Sequence, residues 1–594
     1  MTSGNSSLAP PDPLRQQVLT VLRQELDDRL SYTLHHGVWR EAIRGPCPEL
    51  PTRLWDIEVK LRQSPRFPLT QDGELLGVLA QADGKLMVLG GAGMGKTSTL
   101  IDLAHQLWTI AQTSQTAPLP VYLSLLTWQA PTAIAPWLVA QLHHRYRIPS
   151  AMAESWLHQR QVLPLLDDLD RLSLVQQERC LQALNQFLTT YPRLILATSL
   201  EAYTRCQTRL TLNGGMLLRS LTNAQIESYL NQTESLELHR SLDFDPTLLS
   251  LAKNALLLNL MILATDELLI RAWRGLTTFD DRRHYLISAY VRSRLRRNPR
   301  DPWYPRNREP LSEQTKHWLH WLAHYLQTRA IADFRIEDLQ PSILVKSPSR
   351  WAYAIGVGLV EGIILGGSFG LLSGQPLLMG WGLAIGLAST PLHFWQQADI
   401  QIQPQASIFN LIGPQWASHT GMVTATIVLV SAIVGGLLRT VEQGNLPGLA
   451  TGLILLLSLG LICLTPWGLK SLSQHGQPVR LPLLPTAVQA AQNASLLACL
   501  GIMLSAGIWL GMGLPLTQYA ILSTCLGLLL GLAGGGEACI QHGVLRFLLW
   551  GQGHIPWNYR RFLNYASDRL LLQRHQHRYQ FVHSLLQSYF SQIR

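Results

Sequence analysis

The chain has 594 residues, a formal net charge of +10 and only 14% charged residues, a length that exceeds one hydrophobic core and implies two to four domains. Seven cysteines without a Cys-x-x-Cys pair, four of them after residue 350, argue against a disulfide framework and a zinc site. The N-terminal MTSGNSSLAPPDPLRQQVL lacks a basic stretch followed by an apolar one and reads as no secretory signal.

Residues 1–84 are assigned as an N-terminal helical segment. Lys85–Leu89, KLMVL, is a short apolar strand followed at once by GGAGMGKTSTLIDLAHQL. Gly90 to Thr97 fits the G-x-x-x-x-G-K-[ST] pattern, and Leu100, Leu103, Ala104 and Leu107 continue it with helical spacing. Strand, glycine-rich turn and helix is the setting a phosphate loop requires. Gly90, Gly91, Ala92, Gly93, Met94, Gly95, Lys96, Thr97 and Ser98 are therefore the expected nucleotide-binding residues. Backbone N–H groups and the positive end of the helix face the phosphates. Lys96 is expected at the β- and γ-phosphates, and the Thr97 hydroxyl on Mg²⁺.

A phosphate loop also needs a carboxylate strand. After a strand candidate at 119–126, LPVYLSLL, the run VLPLLDD ends in Asp167, which is assigned to Mg²⁺. A further strand, RLILATS (193–199), ends in Thr198 and Ser199, placed to sense the γ-phosphate or the attacking water. Strands alternating with helices predict an α/β fold of three layers, a parallel sheet with the ligand at the strands' C-terminal ends.

The order of these pieces resembles the NACHT family of STAND-type P-loop NTPases, in particular its bacterial membrane-linked members. The resemblance rests on LMVLGGAGMGKTSTLIDLAHQL, LPLLDDLDRL, RLILATSLEAY, LRSLTNAQIESYL and LAKNALLLNLMI, and on the C-terminal IPWNYRRFLNYASDRLLLQRHQHRYQFVHSLLQSYFSQ. It implies an NTPase core over 85–235, then a helical lid and a winged-helix-like segment over 236–350, the latter near 310–345. It further implies ATP (or GTP) with Mg²⁺, switching between closed and open assemblies with homo-oligomers on activation, and a signalling role in bacterial stress or antiviral defence.

Three positions depart from the family pattern. Ala255 replaces the proline of an Asn-Pro-Leu-Leu-Leu motif. Where the family strand ends Asp-Gly-Leu-Asp-Glu, this chain has Asp167-Asp168-Leu169-Asp170-Arg171, and Leu200 follows Ser199 where the family carries an arginine. Two readings follow. Asp168, with Asp170 behind it, takes over water activation; or the site binds nucleotide and hydrolyses it slowly or not at all, the reading preferred for a switch.

The basic run at 281–310 has no base-reading module beside it, so nucleic acid is not an expected partner; a solvated face or anionic lipid headgroups are. Residues 351–537 are predicted to form an all-α polytopic membrane domain, with apolar segments at roughly 352–373, 377–395, 421–438, 447–467, 494–514 and 516–537. Six spans place both soluble ends on one side. Lys346, Arg350, Lys470, Arg480 and Arg546 make that side cytoplasmic, against Arg439 on the other. Ala354, Gly358, Gly362, Gly366, Gly370 and Gly374 recur every four residues, a stripe suited to helix packing within the chain or to self-association. Glu361 is the acidic residue well inside an apolar segment and a candidate polar site in the bilayer. An ATP-driven transporter or channel is the alternative function, with its path near Glu361. In the C-terminal segment 538–594, RHQHRY reads as a solvated turn rather than a metal site at His575, His577 and His583. Tyr579, Val582, Leu585, Leu586, Tyr589 and Phe590 read as an amphipathic helix that docks on the soluble part.

Overall fold

The computed structural model describes residues 13–42, 53–390 and 536–593, less a few short stretches within them, and isolated positions between 498 and 532. Two compact units are present. Met1–Arg335 and Asn558–Arg594 form the first, and Ile336–Trp557 the second. The chain thus leaves the first unit, builds the second and returns.

In the first unit two helices, α1 (Pro13–Ser31) and α2 (Leu34–Ala42), precede strands β1 (Ile57–Leu61) and β2 (Phe67–Leu69) and helix α3 (Glu74–Gln81). The stretch expected to be helical throughout therefore contributes two strands. Ile57, Val59 and Leu61 are buried with Glu58 and Lys60 turned outward, the period-two pattern of a half-covered strand. There follow β3 (Lys85–Leu89), α4 (Lys96–Thr113), β4 (Leu119–Ser124), α5 (Ile134–Tyr146), α6 (Ser150–His158), β5 (Val162–Asp167), α7 (Leu174–Thr190), β6 (Leu194–Thr198), α8 (Leu200–Arg205) and β7 (Gly214–Leu218).

The seven strands form one sheet in the order β2-β1-β7-β3-β6-β5-β4. From β7 to β4 all neighbours are parallel, and β1 runs antiparallel to both β7 and β2. The predicted α/β phosphate-loop fold is present, with an antiparallel edge added to its parallel sheet. Every residue of β4, β5 and β6 is buried, as a sheet covered on both faces demands. Pro164 sits inside β5 without an N–H to donate, and the pairing of β5 with β6 begins one residue later, at Leu165. Leu89 lies level with Thr198 and Ser124 with Asp167, which brings these C-terminal ends to one edge.

Helices α9 (Asn223–Gln232), α10 (Leu236–Phe244), α11 (Pro246–Ala252), α12 (Ala255–Leu263), α13 (Phe279–Leu295) and α14 (Ser312–Arg329) follow. In the second unit lie α15 (Ser347–Ser373), α16 (Pro376–Ala388) and α17 (Glu537–Gly551). The returning chain adds α18 (Tyr559–Asp568), the hairpin β8 (Leu572–His575) and β9 (Arg578–Phe581), and α19 (Ser584–Gln592). The amphipathic stretch read at the C-terminus is therefore split. Tyr579 belongs to β9, and the helix begins at Ser584. Phe334 and Tyr579 exchange backbone hydrogen bonds of 2.7 and 2.8 Å, and His320 Nδ1 on α14 lies 2.8 Å from the Phe590 carbonyl. A helix–hairpin–helix body is thus assembled from stretches on both sides of the second unit's sequence.

Within the second unit α15 and α16 meet along their glycines. A Cβ on Gly358 would stand 2.2 Å from the Gly386 carbonyl oxygen, and one on Gly382 2.1 Å from Gly366 Cα. Gly358, Gly362 and Gly366 of the small-residue stripe thus form a packing seam inside the chain, and Gly374 lies outside the described residues. Trp351, Ile355, Leu359 and Ile363, also four residues apart, are exposed. Glu361 is half-buried on α15. Among the described residues one helix, Ser347–Ser368, is long and apolar enough by itself to cross a membrane. α16 ends at Ala388, three residues before Pro391, whose ring disfavours a helical residue ahead of it. The predicted spans from 421 to 537 lie largely outside the described residues, so a six-helix domain finds no support among those described.

Candidate functional site

Between β3 and α4 the backbone takes left-handed conformations at Gly93 (φ 78°) and Gly95 (φ 91°). Side chains are excluded there sterically as well. A Cβ on Gly95 would sit 2.4 Å from the Trp55 ring, and one on Gly93 2.7 Å from Asn254 Oδ1. The same neighbours brace the loop. Trp55 Nε1 donates to Thr99 Oγ1 (3.2 Å), Asn254 Nδ2 to the Ala92 carbonyl (2.7 Å), and the Leu256 N–H to the Gly93 carbonyl (3.0 Å). Asn254 also caps α12, accepting from Leu256 and Leu257 N–H. Ala255 occupies the first helical position, where proline is favoured but not required, so the departure from the family motif leaves the geometry intact.

Lys96 is buried. Its Nζ donates to the Gly90 (3.3 Å) and Gly91 (3.0 Å) carbonyls and lies 3.5 Å from Asp170 Oδ2. Ser98 lines the same cavity, and the Gly91 N–H points at Met94 Sδ, 3.2 Å away. Thr97 Oγ1 donates to Asp167 Oδ2 at 2.6 Å, bringing together the two residues assigned to Mg²⁺. Asp167 is 3% exposed and accepts two further bonds, from the Tyr122 hydroxyl (3.0 Å) and the Asp168 N–H (2.8 Å). Burial, reinforced by the neighbouring Asp168, pushes its carboxyl up to about 6. A buried carboxylate beside a second acid fits a divalent cation, whose charge reverses that shift.

Asp168 stands where the family strand has glycine, and its φ of 66° shows the left-handed backbone that position demands. Its carboxylate is not free. Ser124 Oγ donates to Oδ2 at 2.6 Å, and Arg171 lies 3.4 Å from Oδ1. The other guanidinium nitrogen of Arg171 donates to Gln587 Oε1 on α19 at 2.8 Å. The expected sensor pair ends β6 and begins the turn into α8. Ser199 caps α8 by accepting from the Ala202 N–H (3.0 Å), and Thr198 is fully buried with its hydroxyl unpartnered in the protein. Neither lines the cavity at the phosphate loop.

That cavity has a volume of about 180 Å³ and joins loop residues Gly93, Gly95, Lys96 and Thr97 to His583 and Gln587 of the C-terminal segment. It is smaller than the ~300–1,000 Å³ of most ligand pockets. His583 is half-buried at the pocket and caps α19 through Nδ1, which accepts from the Leu585 N–H at 3.1 Å. Burial first, then Lys96 and Arg171, push it down to about 4, so it is neutral at pH 7. His575 is 2% exposed, and His577 lies outside the described residues. The missed signal was the order of residues: a His followed by an apolar i, i+3, i+4 pattern starts a capped helix, and the Arg and Gln around it disguised the burial.

The arrangement supplies N–H donors and a lysine for phosphates, a hydroxyl and a carboxylate for a cation, and a closing segment from the far end of the chain. Comparison with curated proteins returns no match. The family model of the NACHT domain matches residues 85–237, from β3 to the start of α10, and the chain therefore carries a NACHT-type nucleotide-binding NTPase domain.

Proposed function

We propose that the protein is a membrane-anchored nucleotide switch that holds a nucleoside triphosphate with Mg²⁺ and hydrolyses it slowly or not at all. Its loop amides and the N-terminus of α4 bind phosphate oxygens, and Lys96 turns from the Gly90 and Gly91 carbonyls to the β- and γ-phosphates. Thr97 and Asp167 would hold Mg²⁺, which would neutralise charge on the phosphates. ATP rather than GTP follows the habit of the resembled family.

The observation that carries the reading is that Asp168, the first candidate water-activating acid, is occupied. Ser124 donates to it and Arg171 pairs with it. A general base must be within reach of water and ready to take its proton. A carboxylate engaged by a hydroxyl and a guanidinium is a poor one. Arg171, in place of the family's glutamate, adds positive charge where the base belongs and ties the site to α19. Bound nucleotide and the C-terminal segment then stabilise the same closed state, which a signal opens.

The length and apolar composition of Ser347–Ser368, its exposed Trp351, Ile355, Leu359 and Ile363, and the apolar sequence beyond it support a lipid-bilayer anchor. The topology we propose is multi-pass with both soluble ends cytoplasmic. Homo-oligomers on opening and a place in bacterial stress or antiviral signalling come from the resemblance of the NTPase segment. The test is nucleotide retention by detergent-purified full-length protein: ATP should co-purify or load uncleaved in wild type and be lost in Lys96→Ala. Rapid release of ADP by wild type would contradict the proposal.

A further inference from the structure

A second set of charges lies buried in the first unit, away from the phosphates, and nucleotide holding does not use it. Glu25 and Arg29 on α1 are 6% and 3% exposed. Glu25 Oε1 accepts from Arg29 at 3.0 Å and lies 3.7 Å from Arg145, while Oε2 accepts from the Tyr146 hydroxyl at 2.9 Å. Asp333 takes Arg578 on both oxygens (2.9 and 3.1 Å), with Arg145 and His575 each 3.7 Å away. Arg29 lies 3.3 Å from His575 Nε2, closing the set. Buried ions are costly unless paired, so five of them in one cluster are a built feature. Among the described residues, Arg29, Arg145 and Arg578 pair with two carboxylates, Glu25 and Asp333. His575, pushed down by burial and by Arg29, adds no charge at neutral pH.

The surplus cation has a definite place. The Arg29 guanidinium stacks 4.4 Å above the Tyr122 ring, and the Tyr122 hydroxyl donates to Asp167 Oδ2. At the other end of the cluster, Asp333 precedes Phe334, which pairs with Tyr579, and Arg578 and His575 sit on the β8–β9 hairpin. These are the stretches of the first unit that the chain passes just before entering the second and after leaving it.

We infer that Tyr122 and Arg29 form a relay that conveys the state of Asp167 to the Asp333–Phe334 strip and the β8–β9 hairpin. The inference rests on the assignment of Asp167 to Mg²⁺. Tyr122 is then a positioning residue and Arg29 the hub. Asp167 Oδ2 accepts from Thr97 and Tyr122 together, so a change in the partners of that oxygen re-aims the single Tyr122 proton. The ring moves with its hydroxyl, and Arg29, stacked on the ring, redistributes its bonds between Glu25 and His575. Gln587 and His583 line the pocket, as do Gln573, Gln580 and Phe581 of the hairpin; Arg578, Asp333 and His575 do not, and the relay is the route to those three.

The test is a double-mutant cycle on full-length protein in detergent, reading the Mg²⁺ concentration that gives half-maximal binding of a fluorescent ATP analogue. Wild type, Tyr122→Phe, Arg578→Gln and the double variant are compared. The expected result is that each single change shifts the Mg²⁺ requirement about fivefold or more and that the double variant shifts no further than Tyr122→Phe alone. Additive shifts, or an unchanged requirement in a folded Arg578→Gln protein, overturn the relay. Should Arg578→Gln not fold, hydrogen exchange of the paired Phe334 and Tyr579 amides, which do not line the pocket, at fixed nucleotide with and without Mg²⁺ decides. Protection gained in wild type and absent in Tyr122→Phe supports the relay, and equal behaviour overturns it. Asp167→Asn separates the two layers. If it keeps the wild-type Mg²⁺ requirement, the metal assignment falls and takes the relay with it.

Discussion

Replacing Arg171 by methionine should loosen the C-terminal helix from the nucleotide site without unfolding the sheet. Gln587 is buried and its Oε1 accepts from Arg171 at 2.8 Å; the ion pair to Asp168 is longer, 3.4 Å, with side-chain exposures of 30% and 21%. A partly exposed pair of that kind is worth about 0.5 kcal/mol. Losing the charged donor and leaving the buried Gln587 oxygen unpaired costs about 1.5 kcal/mol more. The closed state should weaken by about 2 kcal/mol, a factor of about 30 in the closed-to-open ratio. Hydrogen exchange on nucleotide-loaded full-length protein reads this directly. Amides of α19 should exchange about 10- to 30-fold faster while those of β5 and β6 stay protected. A change below about threefold in α19, or equal loss of protection in β5 and β6, would refute the tie through Arg171 and Gln587.

Lys96→Ala should leave the unfolding temperature within a few degrees of wild type in the absence of nucleotide and remove nucleotide binding, measured by equilibrium dialysis. Gly95→Ala meets both a φ of 91° and a Trp55 ring 2.4 Å from the new Cβ, so it should lower stability by about 2 kcal/mol or more and disable the loop. With Mg²⁺ bound, whose charge removes the opposing upward shift of Asp167, acid should open the site. His583 is held near 4, below its ordinary ~6.5, and a depressed folded value contributes stability that is full above the unfolded value and lost as pH falls through the folded one. Exchange of α19, corrected for its intrinsic pH dependence, should therefore rise between pH 6.5 and about 4, and His583→Gln should flatten that slope. Asp333, held well below the ordinary carboxylate range because its guanidinium and imidazole partners outweigh burial, adds a loss only below pH ~4. Gly382→Leu should break the α15–α16 seam and lower the unfolding temperature in detergent, since a Cβ there falls 2.1 Å from Gly366 Cα.

Much of the nucleotide site is legible in the sequence because its chemistry is local. Gly90–Thr97 lie in one turn and Asp167 ends an apolar run, so the motif assigns Thr97 and Asp167 to one cation, and the two are in contact. Contacts made across long sequence separations are not. Trp55 and Asn254 brace the loop from far along the chain, and His583 and Gln587 arrive from the opposite end after the second unit. Hydrophobic periodicity shows that such a stretch is amphipathic but not which face it meets. β1 was readable from the alternation of Ile57, Val59 and Leu61, yet the strand is only five residues long, and short runs are ambiguous between helix and strand. Ser199 shows a further limit. A hydroxyl at a strand's end serves a ligand or the next helix equally well by composition, and here it caps α8. Glycines every four residues likewise specify close packing without naming the partner, which turns out to be α16.

The most direct test of the account is single-turnover cleavage of radiolabelled ATP by full-length protein in detergent, with nucleotide occupancy measured in parallel on wild type, Arg171→Glu and Asp168→Asn. A holding site predicts full occupancy in wild type, with cleavage no faster than the ~10⁻³ s⁻¹ of unassisted phosphate-loop sites, and faster cleavage in Arg171→Glu. Steady cleavage by wild type at about 1 s⁻¹ or more, abolished in Asp168→Asn, would show that Asp168 activates water despite Ser124 and Arg171, and would contradict the switch described here.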